Sequence, residues 1–266
     1  MTGAEHGGQA TAEGSELSRP AIGRGSRLSL PEHYRQLLFF ALNRFRGDNY
    51  RRMGEYFAEI LINEIEEFMP LRGKRVLDVG GATGVFCRVI NEKRQCDAVN
   101  LDPHPGECVW PQTTVGFADD IPFGDNEFDV LVCRGVLEHV PTGKQQQSLN
   151  EMHRVTKIGG ICYILISPWY NPHAGHQLKP FHTLPFKLAK RLRQLIFRDR
   201  IEADSLPQLS LYPITFRAMR KMIAASHFRM LATRDTHLRL HFLTKIPLIR
   251  EIAVPAVAFV LTKQAR

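Results

Sequence analysis

A chain of 266 residues, 44% hydrophobic and 23% charged, can bury a sizeable core, so neither global disorder nor a disulfide-dependent miniature domain describes it. No apolar run reaches the roughly 18 residues that span a bilayer, and the first residues lack the apolar stretch of a signal peptide, so a cytoplasmic protein is expected. The net charge of +8 permits nucleic acid, anionic lipid or a phosphorylated substrate as partner and selects none of them.

Residues 1–30 are rich in Gly, Ser, Ala and Thr and lack aliphatic periodicity, so they are expected to form a flexible tail. Ordered structure is expected from Pro31, whose missing N–H costs nothing in a first helical turn. Tyr34, Leu37, Leu38, Ala41, Leu42 and Phe45 form one helical stripe; Met53, Tyr56, Phe57, Ile60, Leu61, Ile65 and Phe68 form a second, which stops before Pro70. These helices, residues 31–70, are expected to make a lid that covers one side of the following domain or the mouth of its active site.

From residue 74 short apolar runs alternate with helical stripes. The runs are Arg75–Val79, Ala98–Leu101, Thr113–Phe117, Phe128–Cys133 and Ile161–Ile166. Near-continuous apolar strands separated by helices predict a parallel sheet covered on both faces. Residues 168–183 break the pattern with prolines, histidines and aromatics, and a basic amphipathic helix is predicted over 186–200. A helical stripe at Phe216, Met219, Met222 and Ile223, a strand near Arg229–Thr236, a short helical piece over 241–252 and a last strand at Ala256–Leu261 complete the chain. The expectation is one α/β domain over 71–266, with an acceptor-side insertion at 168–210. The five cysteines contain no C-x-x-C pair, and Cys96, Cys133 and Cys162 sit in or beside strand-like runs, which reads as core thiols.

The sharpest local feature is Val76-Leu77-Asp78-Val79-Gly80-Gly81-Ala82-Thr83-Gly84-Val85-Phe86, a strand ending in an acid, a small-residue turn and a helix. In open α/β sheets ligands bind beyond the carboxyl ends of the strands, where this turn falls. A dinucleotide fingerprint wants G-x-G-x-x-G, with pyrophosphate at the helix N-terminus. Here the spacing is Gly80-x-x-x-Gly84, and a carboxylate so close to the turn would repel a diphosphate while suiting an ammonium group. A nicotinamide-dependent oxidoreductase is therefore the distant alternative.

This stretch resembles the class I S-adenosylmethionine-dependent methyltransferases, in particular their small-molecule and general methyltransferase domains. Ala82 stands where many members have glycine. Asp102 after the second strand, Phe117-Ala118-Asp119-Asp120-Ile121-Pro122-Phe123, Leu137-Glu138-His139-Val140 and Arg154-Val155-Thr156-Lys157-Ile158-Gly159-Gly160 continue the likeness in order, with Ile158 where the family usually has proline. The resemblance covers residues 72–167 well and 212–262 loosely. It implies a Rossmann-like fold with a mostly parallel seven-stranded sheet, S-adenosylmethionine as cofactor, and contacts to it from Asp78, Gly80, Gly84, Asp102, Asp119, Asp120, Ile121 and Cys133. Asp102 would accept from the ribose hydroxyls and Asp119 from the adenine amino group, while Asp120 and Ile121 would offer backbone contacts. A non-catalytic scaffold that keeps the fold is the alternative.

Methyl transfer needs an acceptor held in line and, for many acceptors, a base. Arg134, Glu138 and His139 follow the fourth strand, and His139 is a candidate base because an imidazole can gain and lose a proton under physiological conditions. Ser167-Pro168-Trp169-Tyr170-Asn171-Pro172-His173-Ala174-Gly175-His176, continuing to His182, leaves the fifth strand at the same end, so His139, Tyr170 and His176 are the candidate catalytic residues. His173-x-x-His176 with His182 could suit zinc or iron, but no nearby Cys, Asp or Glu completes a set, so no metal is expected. Lys187, Lys190, Arg191, Arg193, Arg198 and Arg200 interleave with Phe186, Leu188, Leu192, Leu195, Ile196 and Phe197. Such a helix either packs on the core with a solvated basic side or lies on an anionic membrane. The expected acceptor is a small molecule or a lipid- or glycan-linked group, methylated on oxygen. Nucleic acid is not expected, because no zinc finger, stacking motif or RNA-binding module is recognisable.

Overall fold

The computed structural model describes residues 29–43 and 45–265, so the tail expected over 1–30 lies, up to residue 28, outside the described residues. Two helices, α1 (Leu30–Asn43) and α2 (Asn49–Ile65), precede β1 (Arg75–Val79), α3 (Val85–Arg94), β2 (Asp97–Asp102), β3 (Thr113–Val115) and β4 (Phe128–Arg134). Then come α4 (Thr142–Val155), β5 (Thr156–Ile166), α5 (Phe186–Phe197), α6 (Phe216–Ala225), β6 (Phe228–Asp235), α7 (Ile249–Ile252) and β7 (Val257–Lys263). The strands form one seven-stranded sheet in the order β3-β2-β1-β4-β5-β7-β6. Only β7 runs against its neighbours, pairing antiparallel with both β5 and β6. This is the mostly parallel, Rossmann-like sheet that the alternating runs and the resemblance imply.

Because successive strand side chains face opposite ways, each strand feeds two cores. Leu77, Val79, Leu101, Cys133, Ile164 and Phe259 pack on one face with α4 and α6, through Leu149, Met152, Phe216 and Met219. Val76, Ala98, Val130, Val132, Tyr163 and Val260 pack on the other with α2 and α3, through Leu61, Ile65, Phe86 and Ile90. Of the two places open to the N-terminal helices, α2 takes the sheet face. It is tied to α3 by Glu55–Arg88 (2.5 Å), Glu59–Lys93 (2.8 Å) and Glu66–Arg94 (2.7 Å). The third strand is shorter than its apolar run: pairing with β2 ends at Val115, and Phe117 closes a local bridge to Asp120 instead.

Polar contacts fix α1 and α2 to the β6 end of the sheet. His33 Nε2 donates to the His237 carbonyl (2.7 Å), which leaves Nδ1 to accept the Tyr56 hydroxyl (2.7 Å). In the buried core, Glu64 accepts from the Tyr163 hydroxyl and from Thr236 Oγ1. Burial pushes His33 below its ordinary value and His237 down to about 4, the latter helped by the charges of His173 and His33. The unfolded chain therefore binds more protons than the folded one between pH 6.5 and about 4. The stability that neutral His237 contributes is complete above 6.5 and is lost as pH falls through about 4. Between pH 7 and 5 this group should cost the wild type about 1–2 kcal/mol. Buried Glu64 and Asp235, pushed upward, act in the opposite sense, so the readout is a difference: urea titrations should show a larger loss for wild type than for His237→Gln.

Candidate active site

The carboxyl ends of β1, β2 and β4 gather charged side chains on the α3 side of the sheet. Asp78 lies beside Asn100 in the β1–β2 register, and both are fully buried. Arg134, the last residue of β4, reaches across to Asp78 Oδ2 (3.0 Å) with its guanidinium over the Phe86 ring, 4.8 Å from the centroid. Burial pushes the Asp78 carboxyl above its usual range, and Arg134 opposes that shift. Asp78 Oδ1, Asn100 Oδ1 and Arg134 Nε are buried and have no protein partner. These three unanswered atoms make a polar cradle. Arg134 thus belongs beside Asp78 rather than with the acceptor residues that follow it in sequence.

The turn after β1 requires its glycines. Gly80 (φ +70°) and Gly84 (φ +79°) adopt the left-handed region, and a Cβ on Gly80 would run into the Val136 side chain. A Cβ on Gly84 would lie 2.6 Å from Trp110 Cβ. Trp110, whose indole donates to the Ala98 carbonyl (2.8 Å), belongs to a loop that folds back over the turn, with Val109 N–H on the Thr83 carbonyl (2.8 Å). Sequence reasoning gave Trp110 and Val136 no role, because neither belongs to a motif; the demand for glycine was the visible half of their contacts.

Asp102 spans the same turn, accepting from Ala82 N–H (2.9 Å) on one oxygen and from His104 N–H (2.8 Å) on the other. Asp119 is nearly buried and holds Lys144 Nζ at 2.7 Å. Asp120 is exposed. The Ile121 N–H already donates to Glu151 Oε2 (3.0 Å), so the backbone contact expected from Ile121 is taken within the protein. Cys133 is fully buried among apolar side chains, which pushes its thiol far up, and it lies in β4 between Val79 of β1 and Ile164 of β5.

A small pocket, with room for about one water, lies where β4 and β5 end, lined by Glu138, Ser167, Trp169, Ala174, Gly175, His176, Leu211 and Ile214. Residues 210–214 knit its walls together: Tyr212 N–H donates to the Glu138 carbonyl (2.7 Å), and Trp169 N–H to the Ile214 carbonyl (2.9 Å). His139 Nδ1 donates to the Ser210 carbonyl (2.7 Å), leaving Nε2 with its lone pair. Glu138 is buried, and its Oε2 has no partner. Burial pushes its carboxyl above the usual range.

Of the candidate catalytic residues, His139 and His176 are brought together, with ring centroids 4.6 Å apart, and His176 lines the cavity. Tyr170 is more than half exposed and is not part of the cavity wall. His182 is buried, bonded to the Trp169 carbonyl (2.6 Å) and set edge-on to the Trp169 ring, so it supports the wall from behind. Among the described residues no group of three His, Cys, Asp or Glu side chains is placed to hold a metal. Leu211 and Ile214 were invisible in the sequence as site residues, since they belong to no regular element.

A family model for the methyltransferase domain matches residues 48–205. A Mycobacteroides abscessus protein described as an uncharacterized methyltransferase is 28% identical over 208 residues, 73% of this chain and 78% of its own length. A TehB-like SAM-dependent methyltransferase from Corynebacterium glutamicum shares the fold with a TM-score of 0.52 at 16% identity, covering 88% of this chain and 98% of that one. The geranyl diphosphate C-methyltransferase of Streptomyces coelicolor, solved with Mg2+, geranyl diphosphate and S-adenosyl-L-homocysteine, does so with a TM-score of 0.54 at 13% identity, covering 80% of each chain. At those identities the two structures speak to the fold alone. The family match runs from α2 through the cradle and the cavity loop to beyond α5, more than half of the sequence: the protein belongs to the methyltransferase domain family and is a methyltransferase.

Proposed function

We propose that the protein moves the methyl group of S-adenosylmethionine onto an oxygen of a small-molecule or lipid- or glycan-linked acceptor. One observation carries this reading. The end of β4 and the turn after it supply two side chains with buried, unanswered polar atoms, Arg134 to the cradle beside Asp78 and Glu138, four residues on, to the cavity.

The cradle fits the cofactor's amino-acid end. Asp78 Oδ1 can accept from an ammonium, and the Arg134 guanidinium can donate to a carboxylate, so the pair complements a zwitterion. Asp102 uses one acceptor position on each oxygen for backbone N–H groups, and a carboxylate has about four, which leaves room for two ribose hydroxyls. Asp119, with Lys144 on one oxygen, is the candidate for the adenine amino group. When bound, the cofactor supplies an electrophilic methyl on sulfur. The chain's own task is to exclude water, orient the acceptor hydroxyl and receive its proton. Glu138 Oε2 is the favoured proton acceptor, because burial makes this carboxylate a stronger base and nothing in the protein occupies it. The His139–His176 pair stands beside the opening and can pass the proton on to solvent.

Incubation with radiolabelled S-adenosylmethionine, followed by separation of soluble metabolite, lipid, protein and RNA fractions, tests the acceptor class. Label is expected in the metabolite or lipid fraction; label confined to protein or RNA contradicts it. Asp102→Asn tests the ribose assignment. It should weaken S-adenosylhomocysteine binding by about 1.5–3 kcal/mol, roughly tenfold to hundredfold. Because the new amide would set a donor against the His104 N–H, the melting temperature should also fall, so both quantities are measured. Unchanged affinity would remove Asp102 from the site.

A further inference from the structure

We propose that the outer face of α5 docks on an anionic phospholipid surface. The helix divides its cations in two. Lys190 and Arg193 are spent inward: Lys190 Nζ bonds the Ala203 carbonyl (2.8 Å) and Asp204 (3.0 Å), and Arg193 bonds the Lys179 carbonyl (2.8 Å) and Asp199. With Ala189 buried against Leu178 and Ile201, these contacts pin the inner face to the insertion. The outer face carries Lys187 and Arg191, with Arg198 at the residue that caps the helix, all exposed and without an ion pair among the described residues. Beside them stand Leu188 (47% exposed) and Leu195 (77%).

Two large aliphatic side chains thus stand in water beside three cations that have no ion pair among the described residues. No acidic residue occurs between His176 and Arg198. That arrangement complements a surface with negative charge at its boundary and hydrocarbon just beneath, into which an amphipathic helix sinks its apolar side chains. A second copy of the chain is the poorer occupant, because it would bring the same unpaired cations face to face. The outer face of α1 also exposes Leu38 and Leu42, but its Arg35 is tied to Glu32 (2.9 Å), so it lacks the charge complement. Among the described residues no helix is long and apolar enough to cross a membrane, so the contact is peripheral. The helix follows within eight residues of Leu178, the end of the turn that begins at His176 in the cavity wall. Docking would therefore bring the acceptor cavity's insertion to the lipid surface.

The test is co-sedimentation of the full chain with vesicles of phosphatidylcholine alone and of phosphatidylcholine mixed equally with phosphatidylglycerol. Each cation near such a surface strengthens binding about fivefold, so the triple reversal Lys187→Glu, Arg191→Glu, Arg198→Glu should weaken it more than about a hundredfold. A second variant, Leu188→Gln with Leu195→Gln, keeps the charge and should also release the protein. Circular dichroism and S-adenosylhomocysteine affinity, both expected to match wild type, confirm that the variants are folded and keep this proposal separate from the reading of the active site. Wild type should bind the anionic vesicles and leave the neutral ones. Wild type in the supernatant with anionic vesicles overturns the proposal, as does vesicle binding retained by either variant. Concentration-dependent dimers that the glutamine variant abolishes, without vesicle binding by wild type, would assign the face to a second copy instead.

Discussion

Asp78→Ala is expected to abolish measurable S-adenosylhomocysteine binding and to cost about 3 kcal/mol of stability. Asp78 is fully buried, while its partner Arg134 keeps about a quarter of its side chain exposed. Removing one member of a buried ion pair strands the other, at about 3–5 kcal/mol, and the partial exposure of the guanidinium puts this case at the low end. Adding Arg134→Met to Asp78→Ala removes the stranded charge, so the double variant should recover much of the stability and none of the binding. That divergence separates a cradle built for a ligand from an ion pair that only holds the fold. Urea titration and calorimetry on the same samples read the two quantities. Cofactor affinity that returns together with stability in the double variant would show that the pair makes no direct contact.

Glu138→Gln should lower methyl transfer to the accepting fraction by about 10²–10⁴, the usual range for a lost general base, with S-adenosylhomocysteine affinity unchanged. The substitution keeps volume and hydrogen-bonding shape, so the cavity wall should stand. Sign follows from role: a base must be unprotonated, so wild-type turnover should fall as pH is lowered through a titration displaced above the ordinary glutamate value. The variant should be slow and flat across that range. Full turnover in Glu138→Gln with a loss in His139→Asn would move the proton to the histidine pair.

Much of this architecture was legible. The run Arg75–Val79 coincides with β1, because a strand buried on both faces is apolar nearly throughout and its bounding residues are not. Asp78 and Asp102 stand out in the sequence because each carboxylate sits at the end of a strand before a turn, and the family resemblance gives both a contact to the cofactor. Arg134 could be seen but not placed: its partner lies on a strand adjacent in space and 56 residues away in sequence, and only the β1–β4 register brings them together. Glu138 and His139 are consecutive, and sequence favoured the histidine for its titration range. In the structure Glu138 turns inward and keeps an unanswered oxygen, while His139 is exposed and bonded to Ser210. Tyr170 belongs to the same segment as His176 but stands exposed outside the cavity lining.

The cradle at the ends of β1, β2 and β4 as the cofactor site is the claim on which the acceptor chemistry rests. Calorimetric titration of S-adenosylhomocysteine into the folded full-length chain tests it most directly. The account predicts saturable binding at one site, weakened by Asp102→Asn and lost in Asp78→Ala. No heat and no thermal stabilisation by the ligand, in protein shown to be folded, would contradict it.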